Sequence, residues 1–231
     1  MKYSVVIPLY NEQETIKTLY YRLKEVMDGL GSSYEIVLVN DGSTDDTLSI
    51  LARLDNEKNN LIIVNLPQNR GQSAAYQEGF DITRGDIIIT MDGDFQNDPK
   101  DIPKLLDKLN QGYDVVCGWR KKRTDNFIIK LLSRIGNISR RMLLKERIHD
   151  VGCALRVYRK ESLQDINLRG MYHMLTAILA SYGYRIEEVE VNHYRRKFGM
   201  AKFSIMPRIF SSFLIFRYLS NKNYYTNGHI K

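Results

Sequence analysis

Short runs of apolar and β-branched residues alternate with longer amphipathic stretches, and this rhythm governs the first half of the chain. Strand-like runs fall at 4–7, 35–40, 61–66, 86–91 and 114–117. Runs this apolar read as strands buried on both faces. Helical spacing fills the intervals at 12–30, 45–57, 73–83 and 101–110. Strand–helix alternation with short connections predicts an α/β fold: a mainly parallel sheet with helices on both faces. The second half is less regular. Ile128, Leu131, Leu132, Ile135, Ile138 and Met142 give 127–144 a helical stripe with a basic opposite face. Strands are expected at 154–158 and 186–191, a helix at 171–182, and an amphipathic helix at 204–219.

A chain of 231 residues, 43% apolar, is large enough for one well-buried core. The expected organisation is a main domain over 1–203 and an amphipathic segment over 204–231. Cys117 and Cys153 are too few for a disulfide framework and suit a reducing compartment. The N-terminus enters a strand-like run at Tyr3, so no secretory leader is expected. The longest apolar stretch, 205–219, is broken by Pro207, Arg208 and Arg217, short of a membrane span. Charge sharpens this picture. Residues 120–147 hold ten Lys/Arg against two acids, and 191–231 hold eight with no acid, within a net charge of +7. Basicity concentrated in the second half attracts anions such as phosphorylated substrates or an anionic membrane face. Nucleic acid is not the expected partner, because no helix-turn-helix, zinc-finger spacing or aromatic RNA-binding signature accompanies the charge.

Candidate chemistry gathers where strands end. Asp92-Gly93-Asp94-Phe95-Gln96 follows an apolar run directly, placing two carboxylates and an amide at a strand's carboxyl end. Three such oxygens suit Mg²⁺ or Mn²⁺, which would bridge a diphosphate; an acidic turn ahead of the Asp98-Pro99 helix start is the plain alternative. The other strand ends deliver Pro8-Leu9-Tyr10-Asn11-Glu12, Asn40-Asp41-Gly42-Ser43-Thr44-Asp45 and Asn69-Arg70-Gly71-Gln72-Ser73-Ala74-Ala75. All four belong to the edge where open α/β sheets bind ligands, and together they are hard to explain as turns alone.

In these residues the chain resembles the inverting family-2 glycosyltransferases of the GT-A fold, and within them the polyprenyl-phosphate glycosyltransferases. The resemblance extends from Lys2 to about Arg217. It implies that Pro8, Tyr10 and Glu12 line a nucleotide pocket, that Asp41 contacts the base, and that Gly71 lies in the diphosphate-sugar site. It implies that Asp92, Asp94 and Gln96 hold the ion, with UDP expected ahead of GDP. Arg120, Arg134, Arg196 and Lys202 match positions that hold an acceptor phosphate, the last two in an Arg-x-x-Gly-x-Ser-Lys pattern where Ala201 replaces Ser. Asp150 begins an Asp-x-x-Cys-x-x-Arg segment ending at Arg156, where hydroxyl-directed relatives place a proton acceptor. A phosphate acceptor needs no strong base, so Asp150 could instead position Arg groups or the sugar.

The resulting expectation is metal-dependent, inverting sugar transfer from a nucleotide-diphosphate donor to polyprenyl phosphate, at the cytoplasmic face of a membrane. Many such relatives continue into membrane-spanning helices, whereas 204–219 would be an interfacial helix here, the alternative being that Phe210, Phe213, Leu214 and Phe216 pack on the domain. Two rivals stand: transfer to a saccharide or protein hydroxyl, and a non-catalytic module that binds membrane or nucleic acid. The sugar and the oligomeric state are not legible.

Overall fold

The computed structural model describes residues 1–55, 60–121, 148–164, 166–168 and 170–196. The expected helix at 127–144, the segment 204–231, Arg134 and Lys202 lie outside the described residues. Seven strands form one sheet: β1 (Tyr3–Leu9), β2 (Tyr34–Asn40), β3 (Leu61–Asn65), β4 (Ile87–Thr90), β5 (Val115–Trp119), β6 (Arg156–Arg159) and β7 (Ile186–Glu190). Their order is β3-β2-β1-β4-β6-β5-β7. β1 pairs in parallel with β2 and β4, and β5 with β7, while β6 runs antiparallel between β4 and β5.

Alternation along the strands builds two cores. Val5 and Ile7 of β1 face α1 (Ile16–Gly29), α2 (Thr47–Asp55) and α4 (Ile102–Asn110), burying Leu19, Leu23, Met27, Leu51, Leu105 and Leu109. Val6, Val37, Val39 and Ile88 face α3 (Gln72–Ile82) and α6 (Leu175–Ser181) on the opposite side. A one-turn helix, α5 (Lys160–Leu163), follows β6.

Departures from the sequence reading have local causes. The first helix starts at Ile16 rather than at 12, because Glu12–Thr15 is held by tertiary bonds: Glu12 N–H donates to Thr47 Oγ1 (2.9 Å) and Thr15 Oγ1 to Gly93 O (2.9 Å). The helix expected at 171–182 divides into a 3₁₀ turn, Tyr172–Met174, and α6. Since β1 lies between β2 and β4, the chain reverses its direction of winding there, and a crevice opens at the strands' carboxyl ends.

Candidate active site

Four strand-end loops meet in that crevice and are tied to one another. Asn11, at φ 51°, donates its N–H to Ser43 Oγ (3.0 Å) and accepts from Thr44 N–H (2.8 Å), joining the loops after β1 and β2. Asp41 then joins the loops after β2 and β3, its two oxygens accepting from Arg70 N–H (2.7 Å) and Gly71 N–H (2.9 Å). Gln72 Nε2 donates to Asp92 Oδ1 (2.7 Å), linking the loop after β3 to that after β4. Thr15 closes the ring on Gly93 O. Gly42 is needed at its φ of +64°, and a Cβ there would stand 2.3 Å from the Gln68 carbonyl carbon.

The ring encloses a cleft of about 460 Å³ lined by Pro8, Tyr10, Glu12, Asp41, Gly71, Gln72, Asp92, Asp94 and Arg196 among others. Eight residues singled out in the sequence therefore line one cavity. Gln96 is not among its lining residues: its side-chain amide donates to Tyr194 O (3.2 Å), and its carbonyl accepts from Tyr194 N–H (2.9 Å). Asp41 lines the cleft while holding the neighbouring loop's amides. Arg120 and Asp150 form their own cluster at the end of β5. Asp150 accepts from Arg120 Nε (2.7 Å), Nη2 (2.9 Å) and backbone N–H (3.2 Å).

With this geometry, the glycosyl transferase family 2 profile matches residues 4–166. The chain belongs to that family. Among curated family-2 relatives, it is 39% identical over 212 residues to a dodecaprenyl-phosphate galacturonate synthase of Rhizobium johnstonii, covering 89% of this chain and 62% of the relative. It is 38% identical over 210 residues to an undecaprenyl-phosphate 4-deoxy-4-formamido-L-arabinose transferase of Salmonella paratyphi B, covering 90% and 64%. The chain thus spans less than two thirds of these relatives' length. Its fold matches the glucosyl-3-phosphoglycerate synthase of Mycobacterium tuberculosis, solved with Mn²⁺, UDP-glucose and phosphoglyceric acid, with a TM-score of 0.69 at 20% identity over 98% of this chain and 81% of that one. This is the GT-A architecture expected from the sequence.

The electrostatics of the family-2 cleft favour a cation. Burial, then the charge of Asp94, pushes the Asp92 carboxyl up to about 7, against the pull of Arg120, Arg156 and Arg196. Two carboxylates that resist ionising together gain from a nearby positive charge. Arg196 supplies one in this structure, its guanidinium paired with Asp94. Among the described residues no group of three His, Cys, Asp or Glu side chains forms a metal cage. The Asp92–Asp94 pair is an all-oxygen set that fits a hard divalent ion carrying its remaining ligands from water or a diphosphate.

Three contributors had no role assigned from the sequence, although Gln72 belongs to the motif after β3 and Arg156 ends the Asp-x-x-Cys-x-x-Arg segment. Gln72 and Tyr76 reach Asp92 from α3, and Tyr76 stacks on Tyr172 with centroids 3.8 Å apart. Arg156 is fully buried beneath the Asp150 turn. Only the helical spacing of Gln72 and Tyr76 hinted that both share a face. Burial pushes the Cys153 thiol up to about 11, consistent with packing rather than nucleophilic chemistry. His193 pairs through its backbone with Asn97 and does not line the cleft. Among the described residues no helix is long and apolar enough to cross a membrane.

Proposed function

We propose that this family-2 chain transfers a sugar, with inversion, from a nucleotide-diphosphate donor to a polyprenyl phosphate. The observation that carries the acceptor class is the state of Asp150. A carboxylate holding Arg120 through both oxygens is poorly placed to remove a proton from a hydroxyl, but well placed to aim a guanidinium at an anion. A phosphate monoester, with a second pKa of about 6, already presents a nucleophilic oxygen at neutral pH.

In this reading the nucleotide lies along Pro8, Tyr10, Asp41 and Gly71. Asp92 and Asp94 would hold Mg²⁺ or Mn²⁺, which supplies positive charge to the departing diphosphate. Arg120 and Arg196 steady the acceptor phosphate on the opposite side of the anomeric carbon. The phosphate oxygen forms the new bond to that carbon as the bond to the donor diphosphate breaks, and the electron pair leaves with the nucleoside diphosphate. UDP is preferred over GDP as the donor nucleotide. The names of the polyprenyl-phosphate relatives and the localised basic charge support this reading; the cytoplasmic face of a membrane is the place proposed for it.

The test is nucleoside-diphosphate release from a panel of UDP- and GDP-sugars, with Mn²⁺ or EDTA, and with undecaprenyl phosphate or a hydroxyl acceptor. Release requiring both metal and undecaprenyl phosphate is expected, with Arg120→Ala abolishing it while nucleotide binding persists. Full activity on a hydroxyl acceptor in Arg120→Ala would overturn the reading.

A further inference from the structure

Arg156 is 1% exposed and makes no salt bridge to a carboxylate among the described residues. Burying a guanidinium without a direct carboxylate partner is costly, its charge reaching Asp92 only at longer range, and Leu or Met would fill such a space without that cost. Its hydrogen bonds indicate what the charge does there. Nη2 donates to Val151 O (2.5 Å) and Nε to Cys153 O (2.7 Å), so one guanidinium grips the carbonyls on either side of Gly152. From the other side the Tyr172 ring faces the guanidinium at 5.2 Å, and Nη1 reaches Tyr158 Oη (3.4 Å).

The gripped turn is the cradle of Arg120. Asp150, at its start, holds the Arg120 guanidinium through two bonds. Gly152 leaves the space that guanidinium occupies, since a Cβ there would lie 2.9 Å from Arg120 Nη2. Glu188 of β7 fixes the turn's entry, accepting from the N–H groups of His149 (2.7 Å) and Asp150 (2.8 Å). The path is short: Arg156 sets the turn, the turn sets Asp150, and Asp150 sets Arg120.

We infer that Arg156 is a positioning residue for the acceptor anion, acting through the 150–153 turn on Arg120. The inference rests on the proposed phosphate acceptor. A lysine would retain the charge but lose the flat fork that spans two carbonyls.

The test needs no knowledge of the sugar. Binding of farnesyl phosphate and, separately, of UDP with Mn²⁺ is measured by calorimetry for wild type, Arg156→Lys, Arg120→Ala and the double variant. Arg156→Lys should weaken farnesyl phosphate by about tenfold, the scale of one charge-assisted contact, with UDP affinity essentially unchanged. On the Arg120→Ala background it should add nothing, because the two act in series. Equal weakening of both ligands, or a full additional penalty in the double variant, would overturn the inference. Should Arg156→Lys fail to fold, Gly152→Ala crowds Arg120 while leaving Arg156 intact, and must produce the same selective loss. Unchanged farnesyl phosphate binding in Gly152→Ala would equally overturn it. A wild type that binds UDP but not farnesyl phosphate would remove the acceptor reading and this inference together, whereas wild-type binding with indifferent variants removes the inference alone.

Discussion

Replacing Asp41 by Asn isolates the bond that joins the second and third strand-end loops. Asp41 is 3% exposed, and its two oxygens satisfy the N–H groups of Arg70 and Gly71 at 2.7 and 2.9 Å. An amide of the same size offers one oxygen and one NH₂, so one backbone N–H loses its acceptor and confronts a donor. A part-buried donor left unsatisfied falls at the lower end of a penalty of about 1–3 kcal/mol, and the surviving bond's loss of charge assistance adds to it. Taking about 2 kcal/mol, and 2–4 °C per kcal/mol for a chain of this size, the melting temperature should fall by roughly 4–8 °C. Gly71 lines the cleft proposed to take the donor, so nucleotide binding should weaken as well, by about tenfold if 1.4 kcal/mol of the loss is expressed there. Thermal denaturation followed by circular dichroism, with calorimetric titration of UDP and GDP, measures both. An unchanged melting temperature with unchanged nucleotide affinity would refute the assignment of Asp41 as the tie between these loops. A large fall in affinity at constant stability would show instead that its carboxylate acts directly on the ligand.

The Asp92 carboxyl, raised to about 7 in the folded chain, makes its largest contribution to metal-free stability below the ordinary carboxylate range and loses it as pH climbs to about 7. The difference in melting temperature between wild type and Asp92→Asn should therefore shift against wild type from pH 5 to pH 8 (about 1.36 kcal/mol per unit of pKa shift is the governing scale), and a flat difference would contradict it. Stabilisation by Mn²⁺ should be greater at pH 8 than at pH 6, because at lower pH the ion must displace a proton. Gly42→Ala forces a side chain into left-handed backbone and against the Gln68 carbonyl carbon, and should cost at least about 1–3 kcal/mol together with nucleotide binding; wild-type melting would exclude the strain. Glu35, buried at the other end of β2, accepts from Ser4 Oγ (2.6 Å) and Arg84 N–H (2.6 Å), so Glu35→Ala should lower stability by about 1–3 kcal/mol while nucleotide affinity at the folded protein stays constant.

Much of the fold was legible because each strand of the first half is a contiguous apolar run that ends in polar residues. Local sequence therefore announced both the strand and its chemistry, and Pro8, Asp41, Gly71, Asp92 and Asp94 fell into one cleft for that reason. What escaped depends on contacts distant along the chain. Gln96 carries a ligand-like amide in a suitable motif, yet its partner Tyr194 lies 98 residues away. Asp41 lines the cleft, and the sequence could not show that its oxygens also accept from amides 29 and 30 residues on. Arg156 was visible as the last residue of the Asp-x-x-Cys-x-x-Arg segment, but only three-dimensional placement reveals a buried charge gripping a turn. The position of β6, antiparallel within an otherwise parallel neighbourhood, was likewise invisible to periodicity, which reports faces and not strand direction.

The closed ring of hydrogen bonds around the cleft has a consequence for how the family-2 chain opens. Each strand-end loop is anchored to its neighbours rather than to the sheet alone, so releasing one removes a support from the next. Amide protons of Asn11, Thr44, Arg70 and Gly71 should then exchange with solvent as one cooperative unit, with a shared opening free energy rather than four separate ones. A nucleotide touching only two of the loops would slow exchange in all four.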